Sequence, residues 1–227
     1  MYKWFALFFS LAAASAPSAQ PLIAPGTVQA TGASTINVNP DQATLDVSVI
    51  TNGSTAQQAA QQNATQTTTV INALKQTLGA TGSIQTVSYS VYPRYSTSPG
   101  QTNTVIGYTA SNTVRVTTSD LTLPGPLIDT ANQAGASSVS NLTFGLQNPE
   151  PAKLQALTAA AKEAQDHANA IAAGLGGKTG RVISAQESAT AIYPIYASGP
   201  AGASTSTPVQ SGPVSVSATV TITLQLM

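Results

Sequence analysis

His167 is the only histidine of the chain and the first residue to consider for chemistry. It follows Asp166 in a helical segment, so the pair has the residue types of a general base and its orienting acid. A serine hydrolase also needs an exposed nucleophile, but no G-x-S-x-G elbow occurs in the sequence. Without cysteine or a second histidine, zinc, copper and haem would lack their usual ligands. We therefore expect no catalytic residue, no metal site and no cofactor, with His167 exposed on its helix.

Gly177-Lys178-Thr179 resembles the end of a phosphate-binding loop. The first glycine of that motif would fall at position 172, which is Ala172. The motif also joins a strand to a following helix, whereas here a helix precedes a strand. The segment therefore predicts a helix end and a turn.

Four tyrosines border two segments rich in Gly, Pro, Ser and Thr, each within a Y-P-x-Y sequence. They are Tyr92, Tyr95, Tyr193 and Tyr196. A tyrosine joins an apolar ring to a polar hydroxyl, which suits either a partner surface or the edge of a core. These four side chains are the predicted interaction surface, and edge packing with solvated hydroxyls is the alternative.

The secondary-structure elements that carry these residues occur in the same order in two parts of the chain. Strand, helix, strand, tip and strand describe residues 43–118, and the same order describes residues 138–226. The strongest strand pattern lies at the end, where apolar residues from Val214 to Leu226 alternate with Ser, Thr and Gln. We expect an α+β fold of two βαββ units with antiparallel hairpins and long amphipathic helices packed on the sheets.

Boundaries follow from this order. The first βαββ unit, with an additional N-terminal strand, covers residues 20–119, a short linking helix covers 120–137, and the second unit covers 138–227. The turn residues Pro40 and Asp41 suggest a hairpin between the first two strands.

The longest helix is predicted to bury a seam that is half alanine, so its partner must approach closely. That seam comprises Leu154, Leu157, Ala161, Ala164, Ala168, Ile171 and Leu175.

Only 7% of the residues are charged, and 8 Lys and Arg balance 8 Asp and Glu. A typical soluble domain is about 25% charged. Balanced charge excludes an electrostatic nucleic-acid binder, which needs a basic patch. The carboxylates are too few and too scattered to nominate a glycosidase pair.

Residues 1–19 have the pattern of an export signal. Lys3 is the basic region and Trp4–Ala14 is an apolar stretch of the expected length. Small residues place the cleavage between positions 14 and 20. This apolar stretch is shorter than the ~18 residues of a membrane span, so we expect a periplasmic protein that associates with the envelope without a transmembrane helix.

Short sequence matches to a known family follow a fixed order across 28–226. They are Thr31-Gly32, Pro40-Asp41, Thr86 with Tyr89, Pro93 and Tyr95, residues 107–112, Leu127-Ile128-Asp129, Gly135-Ala136, Phe144, the alanine-rich helix, Leu175-Gly176 and Gly180-Arg181-Val182. In these features the chain resembles the SIMPL-domain family, the periplasmic immunogenic or oxidative-stress-defence type of protein.

The resemblance implies an α+β fold, export to the periplasm or outer envelope, homo-oligomer formation, and a role in cell-envelope or oxidative-stress defence. It brings no catalytic residue. We therefore expect a non-enzymatic envelope protein that self-assembles. The alternative is a periplasmic binding module whose tyrosine-bearing tips hold a peptide, a glycan or a small ligand.

So few acidic groups predict a fold whose stability depends little on acidity. We expect the melting temperature to change little between about pH 7 and pH 4, where exposed carboxylates begin to titrate. Thermal unfolding followed by circular dichroism across this range would measure it, and a steep fall would contradict the expectation.

Overall fold

Eight strands and three helices form the described part of the chain, which in this computed structural model comprises residues 26–98, 103–193, 195–196 and 207–227. The helices are α1 (Ala56–Leu78), α2 (Pro124–Gln133) and α3 (Glu150–Gly174). The strands are β1 (Thr27–Val38), β2 (Gln42–Gly53), β3 (Gly82–Tyr95), β4 (Val105–Thr118), β5 (Ser138–Gly145), β6 (Thr179–Tyr193), β7 (Ile195–Tyr196) and β8 (Val214–Leu226). The predicted export signal lies outside the described residues, as do positions 99–102 and 197–206 of the two tips.

The strands form two antiparallel sheets. One has the order β1-β8-β6 and carries α3, and the other has the order β3-β4-β2-β5-β7 and carries α1 and α2. The predicted α+β class, the antiparallel hairpins β3–β4 and β6–β8, and the packing of the helices on the sheets are confirmed.

The hairpin expected at Pro40 and Asp41 is wrong. Strand β1 pairs along its whole length with β8, while β2 lies between β4 and β5 in the other sheet. The turn is held by the end of β5, because the amide of Asp41 donates to the carbonyl of Gly145 at 3.1 Å and its carboxylate accepts from the amide of Gln147 at 2.6 Å. The chain therefore crosses between sheets at this turn instead of folding back.

Pairing also joins the two predicted units to each other. Strand β5, the first strand of the second unit, adds to β2, and β7 adds to β5. A further tie runs from Thr207, whose hydroxyl donates to Asp129 of α2 at 2.7 Å. A Cβ at Gly125 would lie 2.5 Å from the carbonyl oxygen of Thr207, so only glycine allows this approach.

The five-stranded sheet buries one face of β2 against α1. Leu45, Val47 and Val49 are at most 1% exposed, as their alternation with polar residues predicts. Asn63 of α1 is also fully buried, and its amide donates to the carbonyls of Val49 at 2.9 Å and Ala110 at 3.2 Å. This side chain ties the helix to two strands at once.

The buried seam of α3 differs from the prediction. Leu154, Ile171 and Leu175 are 61%, 45% and 68% exposed. Alanines at a strict spacing of four residues face the sheet instead, namely Ala152, Ala156, Ala160, Ala164, Ala168 and Ala172. Close packing selects the smallest side chains, because the backbones of α3 and β1 nearly touch at Gly32.

Hydroxyl side chains pair across the strands on the faces turned away from the helices. Thr31 and Thr221 are 2.9 Å apart in one sheet, and Ser48 and Thr113 are 2.8 Å apart in the other. Such pairs add to sheet stability and replace the charged residues of an ordinary surface.

Replacing Gly32 with alanine should lower the free energy of unfolding by about 3 kcal/mol, the upper end for an overpacked core. A Cβ there would overlap the carbonyl oxygen of Ala160 and the amide nitrogen of Ala164, which are backbone atoms that cannot rotate away. Urea unfolding measures the effect. The matched control is Gly174→Ala, because a Cβ at the end of α3 meets nothing within 4 Å. The control should be neutral or slightly stabilising, and an equal loss in both variants would contradict the packing argument.

Candidate functional site

His167 lies on α3 beside the free edge of strand β1. Its Nδ1 is 2.9 Å from the carbonyl oxygen of Thr31, so the ring nitrogen donates to the strand. One turn earlier, the Glu163 carboxylate accepts from the amide of Ala33 at 2.6 Å. Together the two side chains occupy backbone groups that a further strand would need, which gives His167 a role in covering an edge.

The turn after α3 does not form a phosphate-binding loop. The amide of Gly177 donates to the carbonyl of Ala172 at 2.9 Å, and Lys178 exchanges two backbone hydrogen bonds of 2.8 Å with Met227. Because these amides are engaged inside the chain, they do not point into an anion site. The turn closes α3 and starts β6, as its sequence predicts.

The predicted tyrosines fall into two separate places. Tyr92 and Tyr95 lie on β3, which forms one edge of the five-stranded sheet, and β7 with Tyr196 forms the opposite edge. Tyr193 ends β6 and is 60% exposed, whereas the side chain of Tyr196 lies outside the described residues.

Strand register sets how far apart these places are. Across the sheet, Tyr92 aligns through Thr109 with Asn52 of β2, and Tyr196 aligns through Thr143 with Thr44. Eight residues along a strand and four strand spacings put the two positions on the order of 30 Å apart. The structure therefore does not bring the four residues into one site, because Tyr92 and Tyr196 lie on strands at opposite edges of the five-stranded sheet.

The surface around Tyr92 and Tyr95, here called the tyrosine hairpin, comprises residues 87–95 of β3 and 105–108 of β4. It carries six exposed large apolar side chains: Val87, Tyr89, Tyr92, Tyr95, Val105 and Ile106. The register places Tyr89 beside Asn112 on the helix face of the sheet, whereas Tyr92 beside Thr109 points to the other face. Aromatic rings thus flank the strand on both sides.

Tyr89 belongs to this surface, although the sequence pattern did not nominate it. It lies within the strand and away from the tip, and it is 55% exposed on a strand that has no neighbour on its outer side among the described residues. The sequence signal was the run of Tyr and Val at strand spacing, which does not reveal an edge position.

A polar cluster lies on the outer face of the same sheet. Asp46 of β2 is 5% exposed and accepts two hydrogen bonds from Arg115 of β4, at 2.8 and 2.9 Å. Asn141 of β5 donates a third at 3.0 Å from a left-handed backbone position with φ 53°. Sequence reasoning missed this cluster, because its members are 69 and 95 residues from Asp46.

The cluster keeps Asp46 ionised. The Arg115 guanidinium lowers the pKa of the carboxyl below its usual 3.8, and the Asn141 amide lowers it further against the opposing effect of burial. Its oxygens are already paired, so Asp46 has no proton to exchange near neutral pH. The arrangement stabilises the sheet and is not an acid–base site.

The described residues offer little else for chemistry. Two surface depressions of about 390 and 430 Å³ are lined by uncharged residues, one along α1 and one between α2 and residues 207–209. Across the described ranges no three His, Asp or Glu side chains gather as metal ligands. No helix in that part of the chain is long and apolar enough to span a bilayer.

Comparison with known families finds a match over most of the chain. The model of the SIMPL family, described as a protein of unknown function (DUF541), matches residues 28–224. The match covers both sheets and all three helices, and the chain belongs to the SIMPL family.

Two curated relatives are similar to this chain. They are the 26 kDa periplasmic immunogenic proteins of Brucella melitensis biotype 1 and Brucella abortus strain S19. Each is 26% identical over 167 residues, which is 72% of this chain and 67% of the relative.

Replacing Asp46 with asparagine should lower the free energy of unfolding at pH 7 by about 2 kcal/mol, the range for hydrogen bonds to a charged group. Because the folded pKa is depressed, the native stabilisation is present above pH 3.8 and is lost as pH falls through the folded pKa. The difference between wild type and variant, measured by urea unfolding, should therefore shrink towards pH 3.

Asp166→Asn is the control for Asp46→Asn. Asp166 forms an exposed pair with Lys162 at 2.8 Å, and such solvent-screened pairs contribute little to stability. A difference for Asp46→Asn that stays constant from pH 7 to pH 3 would show that its charge contributes nothing.

Proposed function

We propose that this SIMPL protein is exported to the periplasm and acts there without enzymatic activity as an envelope protein that assembles with copies of itself. Two lines support the location: the two relatives are named periplasmic, and residues 1–19 have the pattern of an export signal. The resemblance adds a role in cell-envelope or oxidative-stress defence.

We propose that the protein catalyses no reaction, because the groups that could perform one are engaged in structural contacts. Asp46 is paired with Arg115, and Asp129 accepts a hydrogen bond from Thr207. Asp41 stabilises the turn at which the chain passes from one sheet to the other. His167 is used to cover β1. Within the described residues these four groups serve the fold.

Self-assembly is supported by one observation above the others. Exposed apolar side chains concentrate on the tyrosine hairpin, at a strand edge, and not around a pocket. Protein interfaces are enriched in tyrosine at their centres, where aromatic rings bury much area at low entropic cost. Tyr89, Tyr92 and Tyr95 lie on one strand and have this composition.

A ligand-binding module is the second proposal. The same three tyrosines favour it, because stacking surfaces suit a peptide or a glycan. Since Tyr95 and Tyr196 lie far apart, a single ligand would engage the tyrosine hairpin without the β7 end. Tyr95→Ala should then abolish ligand binding at an unchanged melting temperature, whereas Tyr196→Ala should leave binding intact.

The mature chain should form a discrete oligomer at micromolar concentrations. Size-exclusion chromatography with multi-angle light scattering gives the mass, and sedimentation velocity tests its dependence on concentration. A strict monomer across this range would contradict self-assembly and leave the binding module as the favoured proposal.

A further inference from the structure

The described sheets have four outer strands, and three of them are protected against pairing with another chain. On β1, Glu163 and His167 occupy outward backbone groups. Strand β7 spans two residues within the described part of the chain. Strand β6 shifts register three times against β8 and carries the charges of Arg181 and Glu187. Side-chain cover, short length, bulges and charges are the devices that keep strand edges from associating.

Strand β3 has less of this protection. From Gly82 to Tyr92 it carries no charged residue and no proline. Its ladder with β4 is regular from Ser88 to Arg94, between one bulge at each end. The sequence is rich in Ile, Val, Thr and Tyr, the composition from which strands readily add to one another.

Pro93 shows which backbone groups of β3 face outward. Proline cannot donate to the ladder, so on an edge strand its nitrogen points away from the neighbouring strand. Val91 precedes it by two residues within the regular register, so the amide of Val91 also points to the free edge. The amide of Ser90 therefore points towards β4.

We propose that β3 pairs antiparallel with β3 of a second copy of this chain, joining two five-stranded sheets into one. This inference rests on the proposed self-assembly and names its interface. The segment from Gly82 to Tyr92 carries no charge and does not repel its own copy, and the pairing adds a neighbouring strand beside the tyrosines on both faces. Arg94, the one charge on β3, decides the direction: antiparallel pairing places the two Arg94 side chains at opposite ends, whereas parallel pairing would set them side by side.

A charge swap at Ser90 tests the pairing. Ser90 is exposed, and its side chain lies beside the free edge in the centre of the regular segment. Ser90→Lys and Ser90→Asp should each weaken association about tenfold or more through like-charge repulsion, and a mixture of the two should associate again. Ser184→Lys, at an exposed position of β6, is the matched control and should behave as wild type in sedimentation velocity.

Two proline substitutions test the β3–β3 pairing independently of charge. Val91→Pro removes an outward donor, so it should give a monomer with a nearly unchanged melting temperature. Ser90→Pro removes a bond within the β3–β4 ladder and should lower the melting temperature instead.

The outcomes separate the two proposals. A monomeric wild type overturns both self-assembly and this interface. The same holds if the wild type is monomeric and its β3 edge binds an added extended peptide. An oligomer unchanged by Ser90→Lys and Val91→Pro overturns the interface alone. Loss of assembly in each folded variant, with recovery in the Lys and Asp mixture, supports it.

Discussion

The close approach of strand β1 to helix α3 is the constraint on which much of the structure depends. Gly32 leaves no side chain between the strand and the backbone at Ala160 and Ala164, and small alanines continue the contact along the helix. This proximity brings Glu163 and His167 within hydrogen-bonding distance of β1. The same packing that builds the core of the three-stranded sheet therefore also covers part of one of its edges, and β3, the less protected edge, lies on the other sheet.

Because the chain has few charged residues, its fold is organised by apolar packing and by hydrogen bonds between neutral groups. Hydroxyl pairs line the faces away from the helices, and Asn63 fixes α1 by its amide. The exception is Asp46, whose carboxylate is fully paired by Arg115 and Asn141 at the centre of the five-stranded sheet. Because its pKa is depressed, the stabilisation that Asp46 provides is lost only under strongly acidic conditions, so one buried carboxylate is compatible with a fold that tolerates mild acid.

Local patterns predicted the elements well and their partners less well. The alternation in β2 and β8 correctly marked the buried face of each strand, because a period of two is set by the backbone itself. The hairpin at Pro40 and Asp41 was wrong, because a turn signal does not specify whether the strands that follow belong to the same sheet. The seam of α3 was also wrong, since helical periodicity favours large apolar residues and contains no information on how close the opposing backbone comes.

The sequence by itself determined the order of the strands and helices, the α+β class, the absence of cysteine chemistry and the family resemblance. These properties depend on local periodicity and residue type, which are read along the chain. Only the tertiary structure decided that β1 joins β8, that Tyr92 and Tyr196 lie on strands at opposite edges of one sheet, and that Asp46 meets Arg115 and Asn141. Each depends on residues far apart in sequence, and the register and packing that bring them together are set by the whole fold.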